Sequence, residues 1–380
     1  MKNLCCEQCG VRVFFENVLC EACGAALGFE PGELHMAAFN VQPDGAWLRV
    51  HGDAAGWRPC ANYVTAGVCN WMVAAHDPNP LCVSCRTTQV LPGLGKPENL
   101  AYWTRIEQAK RRLFYNLLSL GLPVPSRAED PEHGVSFQFL EQFEPAAWVM
   151  TGHDSGVITL NIAEADDAHR EQTRTHLHEP YRTLLGHFRH EIGHYYWDRL
   201  VAGTEWLEPF RELFGDERQD YAGALASHYA APRPDWQQQF VSAYASSHPW
   251  EDWAECWAHY MHIQAGLETA SAWGLRLDQA VPGGPSVQAH PVPRGEVDMA
   301  HVLIEQWLPV SQFANAMARS LGNQDNYPFV MPEPVVRKLD FLHRVVMAGV
   351  SGTVPANFLP PPQEAAEAEC LHDAPSLHDA

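Results

Sequence analysis

From Glu98 onward apolar residues recur with a helical period through "ENLAYWTRIEQAKRRLFYNLLSLGLP", and the run stops at Gly121 and Pro123. That pattern predicts a helix ending on a glycine cap. "PVPSRAEDPEHG" then reads as a linker. "VSFQFLEQF" and "AWVM…GVITLNIAEAD" read as strands, the latter pair joined around the turn "TGHDSG". After Asp166 the signals are helical. Pro180 suits the first turn of a helix running to about Leu200, and further helices are expected over Asp216–Ala230, Asp235–Ser246, Pro249–Ala265, Val302–Leu321 and Glu333–Met347. "DQAVPGGPSVQAHPVPRGE" is a long loop. From about Thr353 the chain is rich in Pro, Ala and acid and is expected to be a disordered tail.

Before Glu98 the pattern is short and broken by cysteines. "CEQC" (Cys6, Cys9) and "CEAC" (Cys20, Cys23) each close on a glycine. Two residues between thiolates let one tight turn present both to a tetrahedral zinc, and the glycine lets the backbone fold beneath the metal. Cys60, Cys69 and "CVSC" (Cys82, Cys85) form a second set whose first half is irregularly spaced; the alternative for Cys60 and Cys69 is that they are buried thiols. Cys5 could stand in for Cys6. The expected fold class is α+β: a small cysteine-rich zinc-ribbon domain over residues 1–95, a mostly helical domain with a small β-sheet over 98–350, and the tail over 353–380.

Composition narrows the function. Of the 380 residues, 46% are hydrophobic and 11% aromatic, enough for a sizeable core. A net charge of −21 argues against a protein that grips nucleic-acid backbones. No run is long enough to span a bilayer, and "MKNLCCEQCG" lacks an apolar signal core. Eleven cysteines, mostly in Cys-x-x-Cys pairs and without a signal peptide, point to metal binding in a reducing compartment, hence the cytoplasm. "PGLGKPENL" resembles part of a phosphate-binding loop but lacks its first glycine, and Pro97 stands where Ser or Thr is required.

The chemistry is carried by "LLGHFRHEIGHYYWDRL". On a helix His190 and His194 share a face and can reach one zinc, with Glu191 beside them as base toward a zinc-bound water. His187 is expected beside this group or on the surface. In a chain with 20 histidines the decisive matter is a third ligand. "YASSHPWEDWAECWAHYMHI" supplies candidates on a helix opened by Pro249: Glu251 first, then Glu255, then His259, with Asp252 a further rival. If Glu251 is the ligand, Glu255 one turn later can fix the tautomer of a ligand imidazole. Tyr244, just ahead of that helix, could donate to an oxyanion.

"HEIGH" followed by "Y…HPWEDWAE" resembles the gluzincin metallopeptidases, most closely the lethal-factor type, in which a Tyr precedes the ligand Glu by seven residues and another Glu follows it by four. Tyr244, Glu251 and Glu255 match that spacing. Over most of its length the chain also resembles a bacterial family of zinc-binding metallopeptidases with an N-terminal zinc ribbon, through "HFRHEIGHYYWDRL", "LFGDERQDY" and "HPWEDWAECWAHYMHI". The resemblance implies a zincin-like domain and hydrolysis of peptide bonds, as an endopeptidase, with one catalytic and two structural zinc ions. The expected partners are a protein or peptide substrate and a protein docking at the ribbons, with no nucleic acid and no membrane. The substrate backbone is expected to pair with "GVITLN". The alternative is a non-catalytic adaptor whose ribbons dock a partner and which needs no base.

Overall fold

The computed structural model describes residues 2–352 apart from 52–55, 143–148, 150, 178 and 280–281. The expected tail and most of "AWVM" lie outside the described residues. The fold is α+β, with a cysteine-rich region of short strands at the N-terminus and a largely helical remainder.

β1 (Leu4–Cys5) and β2 (Arg12–Val13) pair around the first Cys-x-x-Cys. β3 (Ala26–Glu30), β4 (His35–Val41) and β5 (Trp47–Arg49) form an antiparallel meander. β6 (Trp57–Pro59) and β7 (Met72–Ala74) are antiparallel partners on either side of α1 (Ala61–Ala66). An aromatic cluster ties this region to the rest. Phe29 lies 4.9 Å from Trp71 and 4.8 Å from Phe15, and Phe15 packs edge-on at 5.6 Å against Tyr115 of the first long helix.

β8 (Thr88–Val90) follows the second Cys-x-x-Cys directly, and α2 (Pro97–Leu120) carries the chain over to β9 (Ser136–Leu140), which pairs with β8 in parallel. β10 (Gly152–Asp154) and β11 (Val157–Asn161) form a hairpin through the two-residue turn Ser155–Gly156, so much of the expected turn is itself strand. The sheet order is β10-β11-β9-β8. Its outer strand β8 is thus drawn from the residues of the cysteine-rich region.

α3 (Asp167–His176), α4 (Leu184–Leu200), α5 (Leu207–Phe214), α6 (Tyr221–Ala230) and α7 (Pro249–Ala272) follow. A short pair, β12 (Arg276–Leu277) and β13 (Val287–Gln288), precedes α8 (Met299–Val302), which runs through one π turn into α9 (Leu308–Ser320). α10 (Glu333–Gly352) completes the described chain.

Three helix expectations change. Pro180 precedes α4 rather than opening it: Thr183 is the cap, its hydroxyl accepting from Gly186 N at 3.0 Å. Asp216 sits in a turn held by Arg218, and the cap of α6 is Asp220, whose carboxylate accepts from Gly223 N at 3.2 Å. Asp235–Ser246 holds only two 3-10 turns, Trp236–Gln238 and Tyr244–Ser246. There the Ser242 hydroxyl accepts from Ala245 N at 3.0 Å, a local bond that competes with helix.

α4 and α7 cross closely, and one position permits it. A Cβ on Gly193 would lie 3.1 Å from Ala254 Cα and 3.1 Å from Trp257 Cβ, tighter than side-chain contacts ordinarily run. Trp253 Nε1 donates to Gly193 O at 2.8 Å, and Tyr196 stacks on Trp257 at 4.8 Å. This contact sets the two helices that carry the candidate ligands face to face.

Candidate metal centres

Cys6 and Cys9 flank one tight turn and Cys20 and Cys23 another. Gly10 N returns to Cys6 O and Gly24 N to Cys20 O, each at 2.8 Å. Both glycines have positive φ, 71° and 74°, where a side chain would strain the turn. The four thiols lie within 4.8 Å of one another, with Cys6–Cys23 at 3.7 Å and Cys9–Cys20 at 3.6 Å. Thiolates about 2.3 Å from a tetrahedral zinc stand about 3.8 Å apart, so the set fits that ion. Cys6, not Cys5, belongs to it.

Cys60, Cys69, Cys82 and Cys85 form the second set, all buried. Their irregular spacing has a local cause: Cys60 precedes α1, and Gly67 ends that helix so that the chain brings Cys69 back. Cys69 and Cys82 are 3.8 Å apart. Backbone N–H groups donate to the sulfurs, Cys82 N to Cys60 at 3.3 Å, Trp71 N to Cys69 at 3.3 Å and Cys85 N to Cys82 at 3.4 Å, which favours thiolates. Arg111 of α2, only 3% exposed, lies beside them. Burial opposes its charge, but the negative charge of Cys69, Glu107 and Cys85 holds its pKa up.

The third set joins α4 to α7. His190 Nε2 is 2.9 Å and His194 Nε2 3.5 Å from the same oxygen, Glu251 Oε2. Nitrogen and oxygen ligands about 2.0–2.2 Å from a tetrahedral zinc stand roughly 3.4 Å apart, so these three atoms bracket the geometry. The far side of His190 is also held. Its Nδ1 lies 2.8 Å from Glu255 Oε1, and Glu255 Oε2 accepts from Ser242 Oγ at 2.6 Å. His194 differs: its Nδ1 is buried and has no partner among the described residues. The rivals face elsewhere. Asp252 pairs with Lys338 at 2.6 Å, and His259 Nδ1 meets Tyr327 Oη at 2.6 Å. His187 faces Glu164.

Glu191 is 8% exposed, and no hydrogen bond among the described residues engages its carboxylate. Burial pushes its pKa up, and the charges of His190 and His194 pull it partly back. Tyr244 packs its ring 5.8 Å from that of His190. Burial, then the charge of Glu251, raises its phenol well above the ordinary value, so it stays a donor.

The sheet approaches through β10. His153 stacks on His194 at 6.0 Å, and Trp250 lies 4.4 Å from His194. The expectation that "GVITLN" offers a free edge is corrected: β11 is paired on both sides, to β10 and to β9, and among the described residues the open edge next to the centre is β10. Three neighbours escaped the sequence reading: His153, Ser242 and Tyr221, whose hydroxyl donates to Glu251 Oε1 at 2.7 Å. Only Tyr221 left a trace, as the last residue of "LFGDERQDY".

Glu30, Glu33 and His35 make a further grouping of potential ligands, but the Arg49 guanidinium and the Glu7 carboxylate already engage it. Arg49 Nη2 is 2.7 Å from Glu7 Oε1 and 3.7 Å from Glu33 Oε2, and His35 Nε2 is 2.9 Å from Glu7. This is an ion-pair network linking the first cysteine turn to β4 and β5.

Residues 99–345 match the model of a family described as "Putative zinc-binding metallo-peptidase", and residues 3–96 match a zinc-ribbon domain. Curated relatives from Mycobacterium tuberculosis and Mycobacterium bovis, each called an uncharacterized protein, are 44% identical over 348 residues, 91% of this chain and 95% of theirs. No solved structure matches. With the ribbon cysteines gathered in two sets of four and the family model covering most of the chain, this protein belongs to that zinc-binding metallopeptidase family and carries its zinc ribbon at the N-terminus.

Proposed function

We propose that the chain is a zinc-dependent endopeptidase of gluzincin type. The observation that carries the reading is the convergence on one spot of His190 and His194 with a single oxygen of Glu251, beside an unengaged, buried Glu191. His190, His194 and Glu251 would hold the catalytic zinc, and each four-cysteine set one structural zinc. Zinc at the first site supplies Lewis acidity that lowers the pKa of water toward neutrality and polarises a carbonyl.

The remaining work falls to the chain itself. Glu191 accepts a proton from the attacking water and passes it to the leaving amine. Tyr244 donates to the carbonyl oxygen as negative charge develops there. Glu255, fixed by Ser242, holds the Nδ1 proton of His190 and so keeps Nε2 directed at Glu251. A protein or peptide substrate in extended form lies along the open edge of β10, adding a strand to the sheet. Thiol-based metal sites suit a reducing compartment, and we place the protein in the cytoplasm. Among the described residues no helix is long and apolar enough to cross a membrane.

Glu191→Gln is the direct test. It should retain zinc and lose peptide hydrolysis by at least about a hundredfold, the scale of general-base catalysis. Full turnover in that variant would refute the base assignment, whereas absence of hydrolysis by the zinc-loaded wild type would favour the adaptor reading, which needs no base.

A further inference from the structure

"LFGDERQDY" takes no part in the three-residue centre, yet it is built to deliver one atom to it. Phe214 ends α5 buried on Phe210, at 4.9 Å between rings. Arg211 then clamps the turn, reaching Glu208 at 2.7 Å and Glu217 at 2.5 Å. Gly215 passes the first turn of α7, where a Cβ would stand 3.2 Å from Pro249. Asp220 caps α6, and the next residue is Tyr221. Its ring packs edge-on against His248 at 5.2 Å and Trp250 at 6.2 Å, and its hydroxyl lies 2.7 Å from Glu251 Oε1.

The two oxygens of Glu251 are thus divided. Oε2 faces both histidines, and Oε1 accepts from a phenol. We infer that Tyr221 is a positioning residue of the metal centre, holding Oε1 so that Glu251 offers the cation one oxygen rather than two. The inference rests on reading His190, His194 and Glu251 as ligands.

The chemistry favours this division. A carboxylate left free can turn to chelate with both oxygens and fill a position that water needs. A phenol O–H to a carboxylate is a charge-assisted bond, stronger than a neutral one, and here its acceptor Glu251 is buried although the Tyr221 side chain itself is exposed. No residue of α6 is buried, so the helix is not fixed by a core of its own. The Tyr221–Glu251 bond, the ring contacts at His248 and Trp250 and the approach of His248 Nε2 to Gln219 O at 3.3 Å all join its start to α7. The phenol of Tyr244 adjoins that of Tyr221. Two phenols therefore serve one centre in different ways, Tyr221 on the ligand and Tyr244 on the substrate side.

The test uses the full chain and the metal alone. Wild type, Glu251→Ala and Tyr221→Phe are titrated with zinc against a chromophoric chelator, and with cobalt(II) for its ligand-field absorption. Tyr221→Phe keeps the ring contacts and removes only the hydroxyl. The expected result is loss of one metal equivalent in Glu251→Ala. In Tyr221→Phe all equivalents should remain, the weakest bound roughly 10–100-fold less tightly, the range for lost support of a ligand. Its cobalt spectrum should shift toward higher coordination. Wild-type affinity and an unchanged spectrum in Tyr221→Phe, with the equivalent still lost in Glu251→Ala, would overturn the positioning role alone. An unchanged cobalt spectrum despite weakened binding would also overturn it, since the denticity of Glu251 would then not depend on the phenol. No loss of metal in Glu251→Ala would defeat the ligand reading and the inference with it.

Discussion

His190 and His194 face the same carboxylate oxygen but are supported unequally. His190 is held at both ring nitrogens, whereas Nδ1 of His194 has no partner among the described residues. Metal affinity should therefore depend on Glu255 through His190. Glu255→Ala should weaken zinc at this site about 10–100-fold, and Glu255→Gln, which still offers an acceptor oxygen, should recover part of the loss. Competition with a chelator would measure both. Tyr244→Phe should lower kcat by roughly a hundredfold or more with KM nearly unchanged, as expected of a donor that acts in the transition state. A change confined to KM would remove it from that role. At this scale the sequence was informative wherever helical periodicity fixes geometry. His190 with His194, and Glu251 with Glu255, are four-residue repeats on two helices, so their shared faces could be read directly. Tyr221 and Ser242 come from a turn-fixed helix start and an irregular segment. Their approach to the centre depends on tertiary placement, which no spacing encodes.

Between elements, the contact of α4 with α7 governs the centre, because each helix carries part of it. Gly193→Ala would press a methyl against Ala254 and Trp257 at 3.1 Å. Overpacking of this kind typically costs about 1–3 kcal/mol. The variant should unfold at lower denaturant and, since the helices must separate, also bind metal less tightly at His190, His194 and Glu251. The network around His35 gives a second test, one of pH. Burial opposes the charge of His35, but the neighbouring carboxylates of Glu30 at 3.6 Å and Glu7 at 2.9 Å outweigh burial and raise its pKa to about 9 from 6.5. A raised pKa contributes stability that is complete below the unfolded value and is lost as pH rises through the folded one. The gap in melting temperature between wild type and His35→Gln should thus be largest below pH 6.5 and close as pH passes 9. A gap that widened with pH would contradict the pairing. The sequence located most long helices through their apolar stripes and glycine stops. It misplaced the start of α4 and overextended Asp235–Ser246, because Thr183 and Ser242 each commit a hydroxyl to a local backbone N–H, a choice hydrophobic periodicity does not register.

Across the molecule the cysteine-rich region and the helical remainder share a sheet and a core. β8 follows Cys85 within three residues and pairs with β9, and the buried Lys110–Glu107 pair of α2 engages Thr88. A fragment beginning at Glu98 should therefore lack its outer strand and expose Tyr115 and Arg111. It should be insoluble or molten, by near-UV circular dichroism, where the full chain is native. The separation of cysteine pairs from helical pattern was plain in the sequence. That three residues beyond the last cysteine of the second set belong to the other sheet was not, since Thr88–Val90 is too short to show a period.

One consequence concerns how such a chain comes into being on the ribosome. The cysteines of both sets are synthesised before β9, α4 and α7, so the metal that fixes Cys82 and Cys85 also sets the strand on which the later sheet is laid down. A cell short of zinc should then lose folded protein at assembly rather than keep a reloadable apo form, so that the abundance of the chain would follow zinc supply.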